Sequence, residues 1–167
     1  VNNVTDYIMV HDLEGNIIEC NHRMITGLKY AKKELFTMNL KALMVPKEHT
    51  FLAPYLNRLR KGKRTIGRVK FITKEGQTRL MEYSSVMAQH PDGAHVAYCL
   101  ARDITEHQRA TKALAESRAR LKDIFETAAA GMLIVDQATQ AIVEINPAAA
   151  QLMAAPVTEI KGSPLQD

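Results

Sequence analysis

The hydrophobic positions of this chain change period several times, and the changes divide it into elements. Residues 8–20 form two short apolar runs around the polar turn Glu14-Gly15-Asn16, a pattern that predicts a β-hairpin. After Asn21 the period shifts toward 3.6, with Met24, Ile25 and Leu28 as the apolar positions of a short helix. Pro46 to Arg60 reads as one longer helix opening on proline, with Leu52, Tyr55, Leu56 and Leu59 as its apolar stripe and Gly62 after its end. Three strands follow: Thr65 to Thr73, closed by Lys74-Glu75-Gly76-Gln77; Thr78 to Met87, closed by Pro91-Asp92-Gly93; and His95 to Ile104. From Thr105 to Thr127 neither Gly nor Pro occurs and the pattern is helical. Two strands, then three, with short helices between, predict an α+β fold on a five-stranded antiparallel sheet.

The opening pattern recurs near the end of the chain. IMVHDLEGNIIECN from residue 8 lies over MLIVDQATQAIVEIN from residue 132, with Asp12 over Asp136, Glu19 over Glu144 and Asn21 over Asn146, and one extra residue in the second turn. The second copy continues into a short helix with Ala149, Leu152 and Met153 as its apolar positions. Further on, Lys33-Glu34-Leu35 and Leu40 match Thr158-Glu159-Ile160 and Leu165. One structural unit is therefore used twice, the second time only in part. The chain divides into a domain over 1–104, a connecting helix over 105–128 and the opening part of a second domain over 129–167.

The connecting segment has a heptad reading with a and d at His107, Ala110, Leu114, Ser117, Leu121, Ile124 and Ala128. Leu114, Leu121 and Ile124 are its strong seam residues. Two readings follow: a homodimer through this helix, or a solvated helix packed by one face on its own domain.

Composition narrows the function classes. The 167 residues are 46% hydrophobic and 24% charged, and no run of 18 apolar residues appears, which fits a soluble globular piece rather than a disordered or membrane-spanning one. The chain begins with Val rather than Met and has no signal peptide, so it reads as a fragment. A net charge of +4 raises nucleic acid as a partner. The basic residues Arg58, Arg60, Lys61, Lys63 and Arg64 lack interleaved aromatics, and those of 109–122 alternate with acids, which argues against it. Cys20 and Cys99 stand far apart, with no metal spacing, and a reduced, cytoplasmic setting is the simpler inference. His22, His90, His95 and His107 form no metal spacing either. There is no P-loop, nucleophile elbow, dinucleotide fingerprint or His-Glu-x-x-His, so no catalytic residue is assigned and catalysis is expected in a domain outside this fragment.

Several stretches resemble the PAS domain family of sensory and interaction modules in bacterial signalling. They are Asp6-Tyr7-Ile8-Met9-Val10-His11-Asp12, Gly15-Asn16-Ile17-Ile18-Glu19-Cys20-Asn21, and above all Ala101-Arg102-Asp103-Ile104-Thr105-Glu106-His107-Gln108, whose Asp-Ile-Thr-Glu closes a strand and opens a helix. The resemblance implies helices on one face of the sheet and a signalling helix leaving the last strand. It also implies a cavity between the helices and the inner sheet face, with Met9 and His11 pointing inward. Candidate lining residues are Met9, His11, Leu52, Tyr55, Leu56, Met81, Tyr83, Ser85 and Cys99; a filled core of the same residues is the competing reading. Asp103, Ile104 and Thr105 are the candidate relay, Asp103 or Thr105 capping the next helix and Ile104 anchoring the junction.

The cofactor remains unknown on this reading, with haem and flavin both disfavoured. Flavin-photoreceptor members resemble one another in a Cys-containing motif where this chain has Phe36-Thr37-Met38-Asn39-Leu40-Lys41-Ala42. The resemblance sets Leu52 at the position of the haem-ligating histidine of oxygen-sensing members, with His49 one turn earlier and His11 a second outside candidate. The expected function is the input module of a multidomain signal-transduction protein, of histidine kinase or cyclic-dinucleotide enzyme type, binding a small ligand and relaying the change through the exit helix. The alternatives are a ligand-free dimerisation and transmission module and a haem-based gas or redox sensor. The expected partners are a second copy and a downstream effector domain in the same polypeptide, with no nucleic acid. This fragment itself is expected to make no membrane contact, although the full protein is free to carry an anchor elsewhere.

Overall fold

The computed structural model describes residues 6–164 and separates into two compact units, 1–108 and 109–167. In the first, strands β1 (Tyr7–Asp12) and β2 (Ile17–Cys20) form the expected hairpin. Three short helices follow, α1 (His22–Leu28), α2 (Lys32–Leu35) and α3 (Leu40–Leu43). Residues 46–60 are not one helix: Pro46–Phe51 is a 3-10 helix, and only Leu52–Arg60 is the α-helix α4. Pro54 accounts for the division. It lacks an N–H and crowds the carbonyl four residues earlier, so it is tolerated only in a first helical turn, and α4 begins two residues before it.

Strands β3 (Thr65–Ile72), β4 (Thr78–Gln89) and β5 (His95–Asp103) complete an antiparallel sheet of order β2-β1-β5-β4-β3. Alternation along these strands sends Tyr7, Met9, Val69, Phe71, Met81, Cys99 and Ala101 into one core with Met24, Leu28, Leu35, Leu40, Leu43 and Met44. Met9 and His11 point inward as expected. Val10 is also buried, although on the other face, beside its register neighbours Tyr98 and Glu19. The outer edge of β3 is partly occupied: the Val45 amide donates to the Lys70 carbonyl at 3.0 Å, and the Lys70 amide donates to Glu48 Oε2 at 2.6 Å.

The helix α5 (Thr105–Thr127) leaves β5. In the second unit, β6 (Leu133–Val135) and β7 (Ile142–Ile145) pair antiparallel and lead into α6 (Pro147–Leu152) and α7 (Val157–Ile160). The repeat extends to individual hydrogen bonds. Asn21 Oδ1 accepts from the Ile8 and Met24 amides while its Nδ2 donates to the Asp6 carbonyl. Asn146 does the same with the Met132 and Ala149 amides and the Ala130 carbonyl. Each Asn thus ties a strand start to a helix start, satisfying orphan helix amides. Asp12 and Asp136 likewise each close a turn by accepting two backbone amides.

The copies differ in burial. Leu28 is fully buried in the main core, whereas its counterpart Met153 is exposed and Leu152 is 78% exposed. The inward expectation for these two residues is corrected, because the second unit has only two strands among the described residues to cover them. Leu165, the counterpart of Leu40, lies outside the described residues.

Candidate functional site

A cavity of about 60 Å³ lies between the 44–55 segment and the inner sheet face. Five of the nine candidate residues line it: Met9 on β1, Leu52 and Tyr55 on α4, Tyr83 on β4 and Cys99 on β5. Leu40, Met44, Phe51, Val69 and Phe71 complete the apolar wall, with Arg68 at its border. Sequence reasoning missed these residues because an apolar side chain facing a cavity has the same local pattern as one facing the core. The volume is well below the ~300 Å³ at which pockets for drug-sized ligands begin. Phe51, 65% exposed, forms its rim.

The other four candidates lie outside the lining. Met81 and Leu56 are buried, Met81 within the main core. His11 and Ser85 sit behind Tyr55, whose hydroxyl is 2.8 Å from His11 Nε2 and 2.9 Å from Ser85 Oγ. His11 Nδ1 is 2.6 Å from the Asp12 carbonyl. A carbonyl can only accept, so Nδ1 carries the proton and Nε2 of the neutral ring is an acceptor for Tyr55. Burial holds the His11 imidazole below its ordinary value, with the Asp12 carbonyl and carboxylate opposing that shift. Burial also pushes the Tyr55 phenol up, and it pushes the Cys99 thiol up to about 11 against a hydrogen bond with Ser85. At neutral pH the chain His11–Tyr55–Ser85–Cys99 is therefore uncharged. It links β1, α4, β4 and β5 in a buried polar line behind an apolar cavity.

Aromatic packing fixes the wall. Tyr55 meets Tyr83 edge-on with ring centroids 5.6 Å apart. Tyr83 in turn lies over Gly67, where a Cβ would stand 3.0 Å from its hydroxyl, so glycine makes room for the ring. Among the described residues, no group of three or more His, Cys, Asp or Glu is placed to hold a metal. His49 Nε2 instead stands 3.3 Å from the Met44 carbonyl.

The exit from β5 is a compact lock. Asp103 Oδ1 accepts from the Thr105 amide at 2.9 Å and from its hydroxyl at 2.5 Å. Of the pair, Asp103 is the one that accepts an amide at the start of α5. The Thr105 hydroxyl turns to β4 and accepts from the Leu80 amide at 2.8 Å, while the Ile104 amide donates to the Leu80 carbonyl at 2.9 Å. Ile104 itself is half-buried. Arg79, absent from the sequence candidates, adds an ion pair to Asp103 at 3.7 Å. Beyond the lock, Leu114, Leu121 and Ile124 are exposed along α5. No helix among the described residues is long and apolar enough to cross a membrane.

Comparison with known proteins agrees with this geometry. The family model described as the PAS fold matches residues 1–104, and a second described as a PAS domain matches 119–167. No curated protein matches the chain. Among solved structures, a PAS domain from Colwellia psychrerythraea is 25% identical with a TM-score of 0.55, covering 62% of this chain and 89% of its own. A PAS domain of an HTR-like protein from Haloarcula marismortui is 22% identical with a TM-score of 0.56, covering 61% and 84%. A domain of a sensory box sensor histidine kinase/response regulator from Geobacter sulfurreducens is 23% identical with a TM-score of 0.52, covering 60% and 85%.

Proposed function

The chain belongs to the PAS family, and from that premise we propose that it is a sensory and signal-transmission module of a multidomain signalling protein, with catalytic output in a separate domain. The sensor histidine kinase among the similar structures supports an effector of that type, with a cyclic-dinucleotide enzyme as the alternative. In this reading the domain over 1–104 takes the input, the helix over 105–128 relays it and pairs with a second copy, and 129–167 begins a second domain. The free cysteines Cys20 and Cys99 fit a reduced, cytoplasmic setting.

The observation that carries the proposal is the connection from cavity to exit. Tyr55 lines the cavity and touches Ser85, Ser85 opposes Cys99 in the strand register, and the strand bearing Cys99 ends in the Asp103–Thr105 lock. A ligand that displaces Tyr55 shifts a packed polar line that ends at Cys99, on the strand that leads into α5. The ligand is small and mainly apolar, since about 60 Å³ admits only a few heavy atoms unless Phe51 and Leu52 move outward. That same small volume favours a second reading, a ligand-free transmission module.

Native mass spectrometry of the purified chain, followed by a thermal-shift screen with small apolar fragments, separates the two. Retained mass, or stabilisation that Tyr55→Ala abolishes, supports the sensor reading. A bare chain whose melting no fragment alters refutes it in favour of the second. The helical pairing has its own test: Leu114→Glu with Leu121→Glu weakens a dimer held through α5, and an association constant unchanged by the two substitutions defeats the seam as its cause.

A further inference from the structure

The positive charge of this chain is concentrated in one stretch. Residues 41–74 hold ten Lys or Arg and a single acid, Glu48, whose carboxylate is already taken by the Lys70 amide. The stretch therefore carries +9 while the rest of the chain carries −5, within a total of +4. Its densest part is the corner where α4 runs toward β3. There Arg58, Arg60, Lys61, Lys63 and Arg64 are all exposed, and residues 49–74 contain no acid. Arg60 donates to the Leu13 carbonyl at 2.6 Å and Arg64 to Ser84 Oγ at 3.0 Å, both neutral acceptors. None of the five is paired with a carboxylate among the described residues, whereas Arg68, Lys74, Arg79 and Arg102 each hold one. The dipole at the end of α4 favours cations in and beside its last turn, which accounts for Arg58, Arg60 and Lys61 but not for Lys63 and Arg64 beyond it.

The same helix joins this corner to an apolar anchor. At 3.6 residues per turn Phe51, Pro54, Arg58 and Lys61 fall on one stripe, and all four are exposed. Leu56 and Leu59 are buried on the other side. Phe51 is 65% exposed and stands about 15 Å of helix from Lys61. A helix face with an aromatic ring at one end and unpaired cations at the other suits a surface that offers phosphates beside an apolar phase. Lys and Arg can lie along such a surface with their charges among the headgroups and their stems toward the acyl chains. A nucleic acid offers the phosphates without that phase, and no aromatic stands among residues 56–65 to stack on bases.

We propose that the outward face of α4 and the corner after it, Phe51 to Arg64, form a docking surface for an anionic lipid bilayer, with Arg58, Lys61 and Lys63 at the headgroup phosphates and Phe51 at the acyl boundary. Surface docking needs no spanning helix, so the lack of a long apolar run, which underlies the sequence expectation of no membrane contact, does not bear on it. Phe51 is also the rim of the cavity, and docking turns the cavity mouth toward the lipid. The docking does not depend on a ligand being sensed, and its test reads binding alone.

The test is co-sedimentation of the full chain with vesicles of phosphatidylcholine containing about 30% phosphatidylglycerol, and with vesicles of phosphatidylcholine alone. Binding at ~0.1 M salt is expected to be at least about tenfold stronger to the anionic vesicles, and to weaken as salt rises. Lys61→Glu with Lys63→Glu lowers the partition constant at least about tenfold. Lys112→Glu with Lys122→Glu makes the same change in net charge at two exposed positions of α5 and leaves the constant within about threefold. Phe51→Ser keeps every charge and lowers it at least about threefold. Thermal melts confirm that each variant is folded. No preference for anionic vesicles, equal losses from the two lysine pairs, or binding indifferent to Phe51→Ser overturns the proposal. The last result would assign the corner to a soluble polyanion or an acidic protein segment instead.

Discussion

Replacing Tyr55 with Phe removes one oxygen and almost no volume, so it isolates the polar line behind the cavity. The hydroxyl lies within 2.8–2.9 Å of both His11 Nε2 and Ser85 Oγ. Without it, the Nε2 of a fully buried His11 has no replacement among its described hydrogen-bond partners, whereas Ser85 retains Cys99. Two net hydrogen bonds at about 1 kcal/mol each, together with about 1–3 kcal/mol for one unpaired buried acceptor, give about 3–5 kcal/mol of destabilisation. For a domain near 100 residues that corresponds to a fall in Tm of about 10 °C or more. The chain has five tyrosines and no tryptophan, and Tyr7, Tyr30, Tyr55, Tyr83 and Tyr98 all lie in the first unit. Tyrosine fluorescence during urea titration therefore reports the unfolding of that unit alone. Ser85→Ala should cost less, and the double variant should cost less than the sum, since both changes break the same link. A loss below ~0.5 kcal/mol for Tyr55→Phe, or strict additivity with Ser85→Ala, would refute the argument that the hydroxyl joins the two groups.

Three further expectations follow from the same structure. His11 is held below its ordinary value of 6.5, so the unfolded chain takes up the proton first. Its contribution is intact above about pH 7 and is lost as pH falls through the unfolded value toward the folded one; His11→Asn should flatten that part of the stability–pH curve, and an unaltered slope would exclude His11 as its source. Thr105→Val removes the acceptor of the Leu80 amide, and hydrogen exchange at Leu80 should accelerate by about tenfold while α5 remains helical; unchanged protection would mean that the lock does not hold in solution. Gly27→Ala drives a Cβ into the Tyr7 hydroxyl and sets it 2.6 Å from the ring Cζ. Overpacking of about 1–3 kcal/mol should outweigh the ~1 kcal/mol that alanine adds to helix propensity, and a raised urea midpoint would contradict it.

The strands and the exit helix were legible because period-two alternation and Gly-containing turns are local signals, and so was the repeat, whose Asp12/Asp136 and Asn21/Asn146 pairs proved to perform matching tasks. The helix over 46–60 was misread because its apolar stripe outweighed Pro54, which confines α4 to its later half. Met153 stands at the position of Leu28 in the first copy, but burial depends on which strands cover a helix, and that is not a local property. The cavity was legible only in part. Tyr55 was found, yet its bond to His11 spans 44 residues and its bond to Ser85 spans 30, distances at which no sequence period operates. Arg79 escaped notice because pairing of β4 with β5 sets Asp103 opposite Met81, two residues away, and so within reach of Arg79.

The segment over 44–48 also bears on how this protein keeps its sheet from growing. A β-strand at a sheet margin offers unpaired amides and carbonyls as a template for any extended chain it meets. Here the Glu48 carboxylate takes the Lys70 amide and Val45 takes the Lys70 carbonyl, so an incoming strand finds the middle of that template already occupied. Glu48 thereby blunts this edge against strand-to-strand pairing, and Glu48→Ala should raise the tendency of the folded chain to aggregate, as light scattering on concentration would report.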